Sequence, residues 1–141
     1  MQLLDVNILI YAHREESAEH RRYAAFVMAL AAGVEPFALS EPVMTAFVRI
    51  VTNQKIFTPP STPGDAFLFL SALVRLPNCI VLRPGPKHWS VFEQLCRQHQ
   101  LRGKLVADAA HAALAIEWGC EWISADTDFA RFAPPLRWRH L

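Results

Sequence analysis

The sequence predicts an α/β domain, a mostly parallel five-stranded sheet flanked by helices. Three observations carry that expectation. Short apolar runs alternate with helical patterns along the whole chain, as expected of a parallel sheet with right-handed crossovers. Hydrophobic residues make up 52% of the chain and charged residues 19%, which suits a packed core and not a disordered segment. Acidic residues directly follow several of the apolar runs, and strand ends are where α/β sheets bind ligands. A length of 141 residues supports one core and not two, so residues 1–141 are expected to form a single domain.

The elements follow in order. Residues 1–5 read as a buried first strand, and residues 7–13 as a short helix entered without a linker. Ser17 suits the N-cap of a helix over 17–32 that Gly33 stops. Residues 37–39 form a second strand. Pro42 then suits the first turn of a helix reaching about Thr52, with Ser40 or Glu41 as its cap. Residues 53–61 make a loop with two prolines. Thr62 to Asp65 resembles a capping box for a helix that stops at Pro77. Residues 79–82 are the third strand, broken by Arg83-Pro84-Gly85-Pro86. Helices over 87–100 and 106–118 are separated by Gly103. Residues 120–125 are the fourth strand and 136–140 a short fifth.

The net charge is +1, so nucleic-acid binding would need a local basic patch. Cys79, Cys96 and Cys120 are odd in number, widely spaced and set in apolar stretches. They read as reduced buried thiols and favour a cytoplasmic setting. The apolar N-terminal stretch lacks a basic leader and contains Asp5, so it reads as core and not as a signal peptide. No apolar run reaches 18 residues, so no membrane span is expected.

Five acids make the candidate site: Asp5, Glu41, Asp108, Asp126 and Asp128. Two carboxylates about 4 Å apart repel by roughly 4 kcal/mol at an effective dielectric near 20, unless a cation lies between them. Hard oxygen ligands gathered in this way suit Mg²⁺, with Mn²⁺ as a substitute. Asp5 sits among apolar neighbours, and a buried lone carboxylate needs a partner. By itself it divides evenly between metal ligand and helix N-cap. Asn7 could orient Asp5, though it also suits an ordinary turn. Glu41 divides between a strand-end ligand and a solvated first-turn acid. Asp108 is expected in a first helical turn of an alanine-rich helix, with His111 on its face. Glu117, nine residues on, points to the opposite face and is excluded. Ser124, Asp126 and Asp128 alternate and would share one side of an extended chain. An Asx turn is the alternative there, and spacing does not rank Asp126 against Asp128. No P-loop and no HExxH occurs, which argues against those nucleotide hydrolases and zinc proteases.

Several segments resemble the PIN domains of VapC toxins, in order and across essentially the whole chain. They are Leu3-Leu4-Asp5-Val6-Asn7-Ile8-Leu9-Ile10-Tyr11-Ala12, Phe47-Val48-Arg49-Ile50-Val51-Thr52-Asn53 and Arg83-Pro84-Gly85-Pro86-Lys87-His88-Trp89, then Asp108-Ala109-Ala110-His111-Ala112-Ala113-Leu114-Ala115 and Ser124-Ala125-Asp126-Thr127-Asp128-Phe129. The resemblance implies a Mg²⁺-dependent endoribonuclease leaving a 5′-phosphate and a 3′-hydroxyl. It also implies the toxin half of a toxin–antitoxin pair, a homodimer, and a VapB-type antitoxin that fills the active-site groove. The family's acids carry over to Asp5, Asp108 and Asp126 or Asp128, and its hydroxyl to Ser124. One departure stands out: the family's second acid, directly before Phe-x-Arg, is Ala46 here. Glu41 lies five residues earlier, about 7.5 Å along a helix axis, and is the available substitute. Arg49, Arg83, Lys87, His88 and His111 are candidate RNA contacts, each also explicable as surface or packing.

Other readings stay open at this level. A haloacid-dehalogenase-type phosphatase would want a second Asp where Asn7 stands, and a receiver domain would want an Asp ending the third strand, where the chain runs into Arg83. A PIN fold that binds RNA or protein without cutting, or a housekeeping RNA-processing nuclease, fits the same segments.

Overall fold

A computed structural model describes residues 1–141. Its five strands are β1 (Gln2–Leu4), β2 (Phe37–Ser40), β3 (Cys79–Leu82), β4 (Glu121–Ser124) and β5 (Arg137–His140). They form one sheet in the order β3-β2-β1-β4-β5, and every pairing is parallel. The helices are α1 (Val6–His13), α2 (His20–Ala32), α3 (Glu41–Val51), α4 (Pro63–Val74), α5 (His88–Gln98) and α6 (Lys104–Glu117), and a 3₁₀ segment covers Thr127–Phe132.

The strand order reverses at β1. From β1 the chain steps outward to β2 and β3, then returns past β1 to place β4 on its other side. Right-handed crossovers therefore put the β1–β2 and β2–β3 connections on one face and the β3–β4 connection on the other. The packing agrees: α1 lies against α2 and α3, α3 against α4, and α5 against α6. The carboxyl ends of β1 and β4 flank the reversal, the place where such sheets open a crevice.

The central strands explain their own composition. β2 is buried along its full length, as are Leu3, Leu4, Trp122 and Ile123. Strands covered on both faces need continuous apolar runs in place of alternation. β3 is an edge strand and is only partly covered. On the α1 side, Phe47 is fully buried between the rings of His13 and Phe69, with centroids 5.3 Å away in both cases.

Caps set several helix starts. Ser40 caps α3, accepting from Val43 N at 3.4 Å, and Pro42 follows in the first turn. Thr62 and Asp65 form the expected box, with Asp65 N donating to Thr62 Oγ1 at 3.1 Å and that hydroxyl donating to Asp65 Oδ2 at 2.7 Å. Two expectations are corrected. Helix α2 begins at His20, because Ser17–Glu19 are spent in turns: Ser17 N donates to the Arg14 carbonyl and His20 N to the Ser17 carbonyl. Helix α6 begins at Lys104, two residues before the expected start, so Asp108 lies in its second turn and not its first.

The three cysteines are free thiols. No helix is long and apolar enough to cross a membrane.

Candidate active site

Asp5 lies one residue beyond β1 and is 4% exposed. Its backbone N–H still belongs to the sheet, donating to the Ile123 carbonyl at 2.9 Å. Its side chain serves two functions at once. Oδ1 caps α1 by accepting from Val6 N at 2.6 Å, and Oδ2 accepts from the Ser124 hydroxyl at 2.6 Å and Asn7 Nδ2 at 2.9 Å. The cap and the site are thus the same carboxylate, which is why the sequence could not separate those readings.

Asn7 clamps β1 to β4. Its Nδ2 also donates to Ser124 Oγ at 3.0 Å, and its Oδ1 accepts from Ala125 N at 3.1 Å. Ser124 is fully buried and accepts from Asp126 N at 2.9 Å. The expectation of an extended Ser124–Asp128 stretch is corrected. After Ser124 the chain turns into the 3₁₀ segment, with Asp126 Oδ1 capping it by accepting from Asp128 N at 2.9 Å. This is the Asx turn, and it gives the two acids different surroundings. Asp126 acts electrostatically on Asp5 and Asp108, and Asp128 also acts on Asp108. Asp128 is more exposed and pairs with Arg131 at 3.4 Å.

Asp108 enters from α6, the helix that crosses back to β4. It is 8% exposed, and its Oδ2 is buried with no hydrogen-bond partner. A buried acceptor left unmade costs about 1–3 kcal/mol, more for a charged group, so this oxygen calls for a partner from outside the chain, a water or a cation. Burial and the nearby acids push the Asp108 carboxyl above the usual carboxylate range. Asp5 rises further, to about 6: burial raises it most, the Ser124 and Val6 bonds oppose, and Asp108 and Asp126 add repulsion. Asp126 moves the other way, held down by the Asp128 N–H and by Lys104, whose Nζ lies 3.2 Å from Asp126 Oδ2, against a burial that would raise it.

Lys104 is the participant that sequence reasoning missed. It stands four residues before Asp108 on the same helix, and that spacing was a usable signal. No three His, Cys, Asp or Glu side chains converge closely enough to ligate one ion as they stand. The chemistry of the set nonetheless suits a hard cation: carboxylate oxygens only, one of them unpartnered and buried, and two carboxyl groups raised by burial and, less, by the neighbouring acids.

Comparisons with known proteins give the family and the fold. The PIN domain family profile matches residues 3–134. Ribonuclease VapC43 of Mycobacterium tuberculosis (strain ATCC 25618 / H37Rv) is 44% identical over 140 residues, covering 99% of this chain and 95% of that protein. The chain belongs to the VapC family of PIN-domain proteins. Ribonuclease VapC25 of the same strain is 39% identical over 133 residues, covering 94% of each chain. Among solved structures, VapBC2 from Rickettsia felis bound to a DNA fragment from their promoter superposes with a TM-score of 0.71 at 18% identity, covering 99% of this chain and 97% of that one. Mycobacterium tuberculosis VapC20, a Sarcin-Ricin loop cleaving toxin, gives a TM-score of 0.67 at 15% identity, covering 94% and 95%. At those identities the superpositions establish the PIN fold.

The remaining expected site residues lie outside the acid pocket. Glu41 begins α3 but turns to Arg83, 2.6 Å away, and Arg83 is the only charge that acts on it. The structure does not bring Glu41 together with Asp5, Asp108 and Asp126. Arg49 is exposed on α3, beside a groove of about 700 Å³ between α3 and α4 that also includes Glu41, Met44, Phe67 and Val74. Lys87 is exposed, with its backbone N–H bound by Glu117 at 2.8 Å. Glu117 also accepts from Gly85 N at 2.9 Å, so it fastens the Pro-Gly-Pro loop, away from the acids as expected. His88 Nε2 lies 2.9 Å from the Ala110 carbonyl. The His111 ring stacks on Trp122 at 5.6 Å, and burial lowers its pKa. Both histidines are engaged in packing α5, α6 and β4 together.

Proposed function

We propose that this chain is a metal-dependent endoribonuclease and the toxin of a type II toxin–antitoxin pair, with residues 1–141 acting as one PIN domain. The observation that carries the reading is the unpartnered, buried Asp108 Oδ2 beside Asp5 and Asp126 at the strand-order reversal. The names of the VapC relatives support the chemistry, and the VapBC assemblies among the fold neighbours support a VapB-type partner.

In this reading Asp5, Asp108 and Asp126 hold Mg²⁺, with Mn²⁺ as a substitute. When bound, such a cation lowers the pKa of water and stabilises the leaving oxygen of a phosphodiester. The chain's own residues supply placement. Ser124 and Asn7 fix the Asp5 carboxylate through Oδ2 and tie it to β4. The Asx turn fixes Asp126 through Oδ1. Exposed cations at Arg49, Arg83 and Lys87 contact RNA phosphates in this reading. The apolar α3–α4 groove, with Phe67 and Leu68 exposed on α4, suits the apolar face of an antitoxin helix. The toxin acts as a homodimer in the cytoplasm.

The test is cleavage of labelled total RNA by purified, antitoxin-free protein, with Mg²⁺ and with chelator, beside Asp5→Asn. Discrete cleavage that needs metal and disappears in the variant supports the nuclease. RNA binding that persists with no cleavage, in Mg²⁺ or Mn²⁺, would assign the fold to a non-catalytic RNA-binding role.

A further inference from the structure

The oxygens of the acid pocket are not equally available. Asp5 spends Oδ1 on Val6 N, and Oδ2 on Ser124 and Asn7. Asp126 spends Oδ1 on Asp128 N. That leaves Asp126 Oδ2 as the one oxygen of those two carboxylates that no backbone N–H or neutral side chain holds, and Lys104 Nζ sits 3.2 Å from it. The lysine is carried there by its helix. Lys104 is the first residue of α6, which also carries Asp108, and it follows Gly103 at φ +58. Its side chain is 71% exposed, so the ammonium reaches the pocket from the solvent side.

We propose that Lys104 is an internal counter-ion that competes with the divalent cation for Asp126 Oδ2, and so sets how tightly this chain binds metal. The inference rests on the metal-site reading above. In the metal-free protein the ammonium offsets repulsion among the acids; Asp126, Asp108 and Asp128 all favour its charged form. A cation that takes Asp126 Oδ2 must displace it, because two positive charges cannot share one oxygen without repelling. Metal binding therefore includes breaking the Lys104–Asp126 pair, and removing the pair removes that cost.

The experiment is Mn²⁺ binding to the full chain, read by the loss of free-ion EPR signal and by calorimetry, for wild type, Lys104→Met, Lys104→Arg and Asp5→Asn. An exposed ion pair corresponds to a change in affinity of about two- to fivefold. Lys104→Met should bind Mn²⁺ tighter by about that factor, and Lys104→Arg should stay near wild type. Thermal unfolding closes the cycle: Lys104→Met should melt below wild type in chelator, and the gap should close in saturating Mn²⁺. Unchanged or weaker Mn²⁺ binding by Lys104→Met, with wild-type binding intact and sensitive to Asp5→Asn, overturns the proposal alone. Wild-type binding that is absent, or indifferent to Asp5→Asn, overturns the metal site and this inference with it.

Discussion

Asp5 makes the metal-free protein lose stability as pH rises, the reverse of the usual carboxylate. Its carboxyl titrates near 3.8 in the unfolded chain and at about 6 in the fold. Below pH 4 it is protonated in both states and costs nothing. Between about 4 and 6 the folded protein holds a proton that the unfolded chain has released, so stability falls across that window and levels off above it. At about 1.4 kcal/mol per pH unit, the loss amounts to about 3 kcal/mol. Asp5→Asn removes the titration and retains an acceptor for Val6 N, while disturbing the acceptor that Ser124 and Asn7 share. The disturbed bonds cost about 1 kcal/mol each and do not depend on pH here. The variant should therefore equal or trail wild type near pH 4 and gain on it by about 3 kcal/mol by pH 8. The assay is urea unfolding in chelator at several pH values, followed by tryptophan fluorescence. A stability difference between wild type and variant that is flat from pH 4 to 8, or that runs the other way, refutes the account of Asp5 as a buried, crowded carboxylate. Added Mn²⁺ at pH 7.5 should raise the midpoint of wild type and leave the variant where it was.

Three further outcomes are expected. Asn7→Ala strands Ala125 N and loosens Asp5 and Ser124, so it should cost about 1–3 kcal/mol in urea unfolding and lower RNA cleavage with it. Gly103→Ala has open space around the new methyl, but its φ of +58 makes an L side chain strained there; calorimetric unfolding should show a loss of about 1–3 kcal/mol. Glu41→Gln should leave Mn²⁺ affinity unchanged in the same titration that Asp5→Asn disrupts, because the Glu41 carboxylate answers to Arg83 alone.

Much of the chain's architecture is a local property of its sequence. The strands at residues 2–4, 37–40, 79–82 and 121–124 coincide with largely apolar stretches, and the caps at Ser40 and Thr62 act over three residues. At those two positions capping reads correctly because the interactions that fix it span one turn, whereas Ser17 caps nothing and α2 begins at His20. The residues matching the VapC pattern at Asp5, Asp108 and Ser124–Asp128 were legible for a different reason: each lies in a contiguous motif whose order is kept along the chain.

What pairs across the chain was not legible. Whether Glu41 joins the acids depends on where Arg83 lies, 42 positions away in number and 2.6 Å away in space. The different surroundings of Asp126 and Asp128 follow from the chain leaving the extended form after Ser124, so that one carboxylate caps the 3₁₀ segment and pairs with Lys104 while the other pairs with Arg131. Lys104 meets Asp126 because α6 begins at Lys104 and brings that first residue within 3.2 Å of the acid 22 positions on. The sequence by itself determined the elements, the parallel α/β class and the family, since propensity, capping and motif order are written along the chain. Only the tertiary structure decided which charges meet. Side-chain electrostatics falls off over a few ångströms, and distances of that size between residues far apart in the chain are set by how the helices pack on the sheet.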